Sequence, residues 1–198
     1  MRLRRIEIVF VLVLVATALV SAQTVSTAHR RTLDELTDEA AFIVHGYVVG
    51  VRVEPHPQLH NLQTVVVSMQ IDDVLKGDVP REFAFRQFIW DVRSIHDGGG
   101  YRKRQELMLF LRPPSRYGLT SPAGLQQGRF VIQRDSAGNV TAVNADNNIG
   151  LFKTLPKAAQ RRGAALPAAA LALANKAAGP VPLTDLKQAV RALSRRSQ

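Results

Sequence analysis

The fold is decided by residues 42–53, which read Phe-Ile-Val-His-Gly-Tyr-Val-Val-Gly-Val-Arg-Val. β-Branched and aromatic side chains dominate this run, and such side chains favour extended backbone. Apolar residues occupy both alternating faces, so the pattern predicts a strand that is covered on both sides. Gly46 and Gly50 lie four positions apart on one face, where a missing side chain lets a strand coil sharply or lets another backbone approach. We therefore expect a long, bent, central strand.

Five further segments have the composition or the alternation of strands. In residues 64–77, one face carries Val65, Val67, Met69 and Ile71, and the other carries Thr64, Val66, Ser68 and Gln70. The remaining segments are residues 82–90, 105–111, 130–133 and 140–143. The last two flank Asp135-Ser-Ala-Gly-Asn139, in which a glycine at a position of positive φ is typical of a hairpin turn.

A short helix is predicted ahead of these strands. Thr32-Leu-Asp-Glu35 fits a capping box, and the helix that it starts would cover residues 33–41. Because several strands are apolar on both faces, they favour a closed barrel or a tight sandwich over an open sheet. The sequence therefore predicts an all-β domain with one N-terminal helix.

Three segments together resemble a known group of domains. They are Leu33-Asp-Glu-Leu with Ile43-Val-His-Gly-Tyr-Val, then Val74-Leu-Lys-Gly77, and then Glu106-Leu-Met-Leu-Phe-Leu111 followed by Gly128-Arg-Phe130. This chain resembles exported bacterial domains of unknown function and, more distantly, the netrin-like domains that include the tissue inhibitors of metalloproteinases. The resemblance covers about residues 33–152 and implies a small antiparallel OB-like barrel, closed or partly open. The inhibitors use an N-terminal cysteine to chelate the protease zinc. The present chain has no cysteine, so that activity is not implied.

The first 22 residues have the pattern of a cleavable signal peptide. Arg2, Arg4 and Arg5 form a positive start, an apolar run covers residues 8–20, and Val20-Ser-Ala22 fits a signal-peptidase site. A helix of 13 residues spans about 20 Å, which is shorter than the roughly 30 Å hydrocarbon core. We expect cleavage after Ala22 and a periplasmic or secreted protein; an uncleaved N-terminal anchor is the alternative.

The positive charge of the chain is concentrated after residue 152. Residues 23–152 contain 14 basic and 14 acidic side chains, whereas residues 153–198 contain nine basic ones and a single acid, Asp185. Residues 158–178 include 11 alanines. We therefore expect a β-barrel domain over 23–152 and an alanine-rich basic linker over 153–182. An amphipathic helix is predicted within 183–198, beginning at Thr184, with Leu186, Val190 and Leu193 on one stripe.

The best candidate ligand surface is the loop over residues 91–104 with the tryptophan before it. It combines aromatic and basic side chains, namely Trp90, Arg93, His96, Tyr101, Arg102, Lys103 and Arg104. OB-type barrels commonly bind oligonucleotides or oligosaccharides on such surfaces. Export and the zero net charge of residues 23–152 argue against nucleic acid. The leading interpretation is a non-catalytic binding module without a cofactor, whose partner is an envelope protein or an anionic glycan. Within the loop, Gly98-Gly-Gly100 lacks the context of a phosphate cradle and is interpreted as a flexible turn.

Two alternatives remain open. Glu54, His56 and His60, with His96 as a further ligand, could form the metal site of a metal-dependent hydrolase, although Pro55 and Pro57 favour an extended loop. The basic tail could instead hold an envelope-associated structural protein on an anionic membrane surface. His45, inside the first strand, is interpreted as a core histidine whose ring is satisfied by backbone groups.

Overall fold

The structure, a computed structural model, describes residues 30–195. The predicted signal peptide therefore lies outside the described residues. The described chain forms a seven-stranded antiparallel sheet with four α-helices. The strands are β1 (Phe42–Pro55), β2 (Gln63–Lys76), β3 (Glu82–Phe88), β4 (Glu106–Leu111), β5 (Arg129–Arg134), β6 (Val140–Asn144) and β7 (Val181–Pro182). The helices are α1 (Leu33–Glu39), α2 (Leu155–Arg161), α3 (Ala168–Ala172) and α4 (Leu183–Ser194).

The sheet is open. Its strand order is β3-β2-β1-β4-β5-β6-β7, and the outermost strands β3 and β7 do not pair with each other. The prediction of a mostly β fold is confirmed, but the sheet is not closed into a barrel, and the OB-like architecture is not confirmed. The barrel was predicted because the strands are apolar on both faces. That pattern shows only that both faces of the sheet are covered. Helices or a crossing loop can cover a face as well as further strands can.

Strand β1 is the long, bent strand that its sequence predicts. It pairs with β2 on one side and β4 on the other, and its pairing with β2 shifts register at three places. A Cβ on Gly46 would lie 2.1 Å from the Gln70 carbonyl oxygen, so only glycine allows the two backbones to approach this closely.

Two hydrophobic cores lie on opposite faces of the sheet, and β4 contributes to both. All six β4 side chains are buried. Met108 and Phe110 join the first core, where α1, α2 and α4 pack against the sheet, while Leu107 and Leu109 join the second core. The 17-residue connection between β3 and β4 lies over the second face. It crosses β2 and β1, because β3 is at one edge of the sheet and β4 lies on the far side of β1. This connection inserts Tyr101 into the second core.

The alanine-rich segment is part of the first core and not a linker. Leu155, Ala158, Ala170 and Leu173 are buried there, and Val181 pairs with β6. Alanine has a small side chain, so it lets a helix backbone approach a packed surface closely. The linker was predicted from the low content of large apolar residues, which does not exclude burial of this kind. Helix α4 follows at the position that its periodicity predicts and buries Leu186, Val190 and Leu193 in the same core.

Over residues 30–195, the helices all lack the length and hydropathy that a membrane crossing requires.

Candidate functional site

A buried arginine on β5 lies at the centre of the candidate site. Alternation along β5 directs Arg129, Val131 and Gln133 to the second face, away from Phe130 in the first core. The Arg129 residue is only 9% exposed, and the guanidinium carbon lies 4.1 Å from the centre of the Tyr101 ring. That distance is typical of a cation–π contact.

The three consecutive glycines of the crossing loop bind the Arg129 guanidinium. Arg129 Nη1 donates to the Gly99 carbonyl at 3.2 Å, and Nη2 donates to the Gly100 carbonyl. Gly98, Gly99 and Gly100 have φ angles of 64°, 66° and 79°, a region that glycine enters far more easily than other residues. The Asp97 carboxylate accepts a hydrogen bond from the Gly100 amide at 3.1 Å. The glycine run therefore forms a left-handed turn with defined hydrogen-bond partners, and its flexibility stays a prediction.

Burial dominates the electrostatics around Arg129. It lowers the pKa of the guanidinium, which Tyr101 and Asp97 raise in part. Burial also raises the pKa of the Tyr101 hydroxyl to about 12, so the phenol is neutral at physiological pH. Within residues 30–195, the ion pairs formed by arginines and lysines do not include Arg129.

Arg129 borders a cavity of about 420 Å³, which we name the Arg129 pocket. Its wall is mixed in polarity, and the polar residues in it are Ser94, Asp97, Gln126, Arg129, Gln133 and Asn144. The Asn144 side chain accepts hydrogen bonds from two amides of its own turn and donates to the Gln127 carbonyl, whereas Gln126 and Gln133 are exposed. The pocket therefore offers amide side chains beside one buried cation.

A second cavity of about 450 Å³ adjoins this pocket, and we name it the Trp90 cleft. Its wall consists of Gln87, Trp90, Ser121, Pro122, Leu125 and Gln126. Trp90 is 82% exposed, and the edge of its indole packs against the Phe88 ring at a centroid distance of 4.7 Å. Leu125 is also exposed and has a φ of 60°, which costs a residue with a Cβ roughly 1–2 kcal/mol.

The Trp90 cleft and the Arg129 pocket share a wall residue. Gln126 belongs to the walls of both. Tyr101 links them from beneath, because its hydroxyl donates to Gln87 Oε1 at 2.9 Å while its ring supports Arg129. We name the combined surface the Trp90–Arg129 face.

The predicted ligand residues divide into three groups. Trp90 lines the cleft, as the sequence analysis expects of a ligand contact. Tyr101 is only 2% exposed and is a core residue that supports Arg129, so its prediction as a direct contact is wrong. The remaining predicted contacts are exposed but line neither cavity, namely Arg93, His96, Arg102 and Arg104. Arg93 is paired with Asp91 at 2.9 Å.

Sequence reasoning missed Arg129, Leu125 and Gln126. The alternation of Arg129, Val131 and Gln133 with Phe130 and Ile132 was a usable signal for Arg129, since it separates the two faces of β5. The alternation along β5 could not show that the crossing loop covers the second face and places carbonyl groups beside the arginine.

The predicted metal ligands do not form a metal site. His56 is buried; its Nδ1 accepts hydrogen bonds from the Gln58 and Leu59 amides, so its Nε2 donates to the Tyr117 carbonyl at 2.9 Å. His60 is exposed on the same loop, and Glu54 is bound by Arg86 at 2.6 Å. The search over residues 30–195 found no group of three or more histidine, cysteine or acidic residues that could hold a metal ion. In this structure, His56 organises the loop between β1 and β2.

A second buried polar cluster joins α4 to the sheet. His45 is 6% exposed; Lys187 of α4 contacts its Nδ1 at 3.1 Å, and Glu106 of β4 contacts its Nε2 at 2.9 Å. Arg134 pairs with Glu106 at 2.9 Å, and Asp73 pairs with Lys187 at 3.0 Å. The ring of His45 is thus satisfied by side chains, and the prediction that backbone groups satisfy it is wrong. The cluster links β1, β4 and α4 and has no adjoining cavity among those described above.

Comparisons with protein-family models, with curated proteins and with solved structures found no match for this chain. The functional argument therefore rests on the residues of the Trp90–Arg129 face.

Proposed function

We propose that this chain is an exported, non-catalytic binding module that holds a carbohydrate chain in the Trp90 cleft. The observation that carries the proposal is the indole of Trp90, which is 82% exposed at the mouth of a preformed cleft. The signal-peptide pattern of residues 1–22 supports export.

The position of Trp90 favours a ligand with a flat apolar face. Phe88 contacts the indole on one side and leaves most of the ring open to a ligand. Pyranose rings present a face of C–H groups that packs on an indole, and pre-organisation lowers the entropic cost of such contacts. The strained backbone of Leu125 on the opposite wall is consistent with a site that is shaped for binding.

The polar side chains of the cleft favour a carbohydrate over a protein partner. Gln87, Gln126 and Ser121 supply both donors and acceptors, which sugar hydroxyl groups require. A cleft of about 450 Å³ has the size of a small-ligand site. A stable protein interface buries about 800 Å² on each partner and is rich in aromatic anchors, whereas this face presents one exposed tryptophan beside the exposed Leu125 and three polar side chains.

The test uses the fact that Trp90 is the only tryptophan of the chain. Mature protein (residues 23–198) is titrated with soluble polysaccharides, neutral and acidic, while tryptophan fluorescence is recorded. Stacking of a sugar ring removes the indole from water, so we expect a blue shift that saturates. Calorimetric titration of Trp90→Ala should then show an affinity at least tenfold lower, which corresponds to about 1.4 kcal/mol.

Leu171→Ala provides the matched control. Leu171 is 44% exposed on α3 and lines neither cavity, so this variant should bind like the wild type. A fluorescence signal that no polysaccharide changes, together with an envelope protein that binds purified wild type and not Trp90→Ala, would assign the cleft to a protein partner instead.

A further inference from the structure

We propose that the Arg129 pocket recognises the carboxylate of an acidic sugar unit in the carbohydrate that the Trp90 cleft holds. This inference rests on the proposed function and adds the chemical class of its ligand. The observation behind it is a guanidinium that is nine-tenths buried, borders an open cavity and forms no ion pair with a carboxylate of residues 30–195.

The first step concerns the charge of Arg129. A buried cation is normally paired with an anion, because removing it from water without a partner is costly. Two carbonyl groups and the face of Tyr101 compensate part of that cost. They do not neutralise the charge, and a guanidinium has five N–H donors in a planar fork that matches a carboxylate. The exposed Asp97 carboxylate in the same wall offsets part of this charge but forms no ion pair with Arg129, so a carboxylate in the adjoining cavity would supply the direct partner that the guanidinium lacks within residues 30–195.

The second step concerns how firmly Arg129 is held. The Gly99 and Gly100 carbonyls fix the guanidinium from one side, and the Tyr101 ring fixes it from another. A Cβ on Gly100 would approach Arg129 Nη1 to 3.1 Å, so a larger residue at this position would displace the guanidinium by a few tenths of an ångström. A polar group held this firmly is pre-organised, and the entropic cost of binding falls accordingly.

The third step concerns continuity with the Trp90 cleft. Gln126 lies in the walls of both cavities, and Tyr101 touches a side chain of each, Gln87 and Arg129. A chain of sugar rings that packs on Trp90 can therefore extend past Gln126 towards Arg129. Gln133 and Ser94 in the pocket wall offer polar groups to its hydroxyls.

The single acidic wall residue restricts the kind of anion. Asp97 lines the Arg129 pocket, and its carboxylate already accepts a hydrogen bond from the Gly100 amide. The charges of Arg129 and Asp97 offset each other in part, so a singly charged carboxylate leaves less excess negative charge in the pocket than a dianion such as phosphate does. The pocket thus favours a uronic acid type of sugar over a phosphorylated one.

The test compares each acidic polymer with its own methyl ester, which keeps the sugar ring and removes the charge. Polygalacturonate, alginate and hyaluronan are each titrated in both forms by calorimetry. For the polymer that binds, we expect the wild type to prefer the acid form by at least tenfold. Arg129→Gln should lower the affinity for the acid form to that for the ester and leave the ester affinity unchanged. Arg93→Gln, at an exposed arginine of the crossing loop that lines neither cavity, should change neither.

The outcomes separate the two proposals. Equal wild-type affinity for acid and ester, or an acid preference that survives in Arg129→Gln while Trp90→Ala loses binding, would overturn the carboxylate site and leave the carbohydrate function standing. Absence of binding to every polymer in both forms would overturn both. Should Arg129→Gln fail to fold, the wild-type NMR signal of the Arg129 Nε–H provides the readout. It must shift with the acid form and not with the ester; equal shifts would refute the inference.

Discussion

His45 is held in its neutral form by the groups that surround it. Lys187 of α4 can only donate, so the Nδ1 that it contacts must accept and Nε2 must carry the hydrogen bonded to Glu106. A second proton, on Nδ1, would face the Lys187 ammonium. Burial and then Lys187 lower the pKa of His45, while Glu106 and Asp72 act in the opposite direction without reversing the shift.

The first prediction concerns the pH dependence of stability. The unfolded chain binds a proton on His45 near pH 6.5, whereas the folded chain binds it only at lower pH. The contribution of His45 to the free energy of unfolding is therefore fully present above about pH 6.5 and is lost as the pH falls below it. We expect urea unfolding between about pH 7.5 and 5 to show this decline in the wild type and a flatter profile in His45→Gln. His60→Gln, at an exposed histidine, should retain the wild-type profile; equal slopes in His45→Gln and wild type would refute the assignment.

At the residue scale, the two aromatic residues predicted to contact a ligand differ in their exposure. Trp90 was predicted as a ligand contact, and the structure shows it exposed in the wall of the Trp90 cleft; its contact with a ligand stays a prediction. Tyr101 has the same neighbours in the chain, yet it is buried, because the loop crosses the second core at that point. The sequence does not show where a loop crosses a sheet, so the two aromatic residues could not be distinguished in advance.

At the scale of elements, the glycine turn shows what local pattern leaves undetermined. The six predicted strand segments agree with the structure to within two residues at each end, because strands show as an alternation of apolar and polar side chains in the sequence. The turn at Gly98–Gly100 has no period. Its conformation is set by Asp97, Val51 and Arg129, which come from three different parts of the chain.

The second prediction compares two glycines that share a positive φ. Gly98 has a φ of 64° and Gly138 one of 83°, so alanine at either position should cost roughly 1–2 kcal/mol of backbone strain. A Cβ on Gly98 would also lie 2.7 Å from Val51 Cγ1, whereas Gly138 has no neighbouring atom within 4 Å. We expect Gly98→Ala to lower the free energy of unfolding by about 1–3 kcal/mol more than Gly138→Ala. Equal losses in chemical denaturation would show that the turn can move away from β1.

At the scale of the molecule, the basic residues after position 152 complement acids of the earlier chain. Arg161 pairs with Asp34 and Arg162 with Asp38, while Lys187 and Arg191 both pair with Asp73. The charge asymmetry that the sequence shows is thus partly internal. Attachment to an anionic membrane remains a prediction, and it would depend on exposed residues such as Lys153, Lys157 and Lys176.

The third prediction concerns the unity of the domain. Residues 155–193 supply a large part of the first core, so a chain that ends at residue 152 should lose its cooperative thermal transition. Calorimetry of residues 23–152 beside residues 23–198 tests this. A truncated chain that melts in a single transition near the wild-type temperature would restore the division into a domain and a separate tail, which composition alone suggested.

The position of α4 in the chain also affects when the protein can fold. Lys187 and His45 are 142 positions apart, and α1 packs against α4 in the first core. At a synthesis rate of about 5–20 residues per second, Lys187 is added to the chain roughly 7–28 s after His45. During that interval the early strands and α1 lack the cover that α4 gives to the first face, so native packing waits for the later residues. A chain that we propose to be exported would gain from this delay, because it would reach the membrane before its core can close.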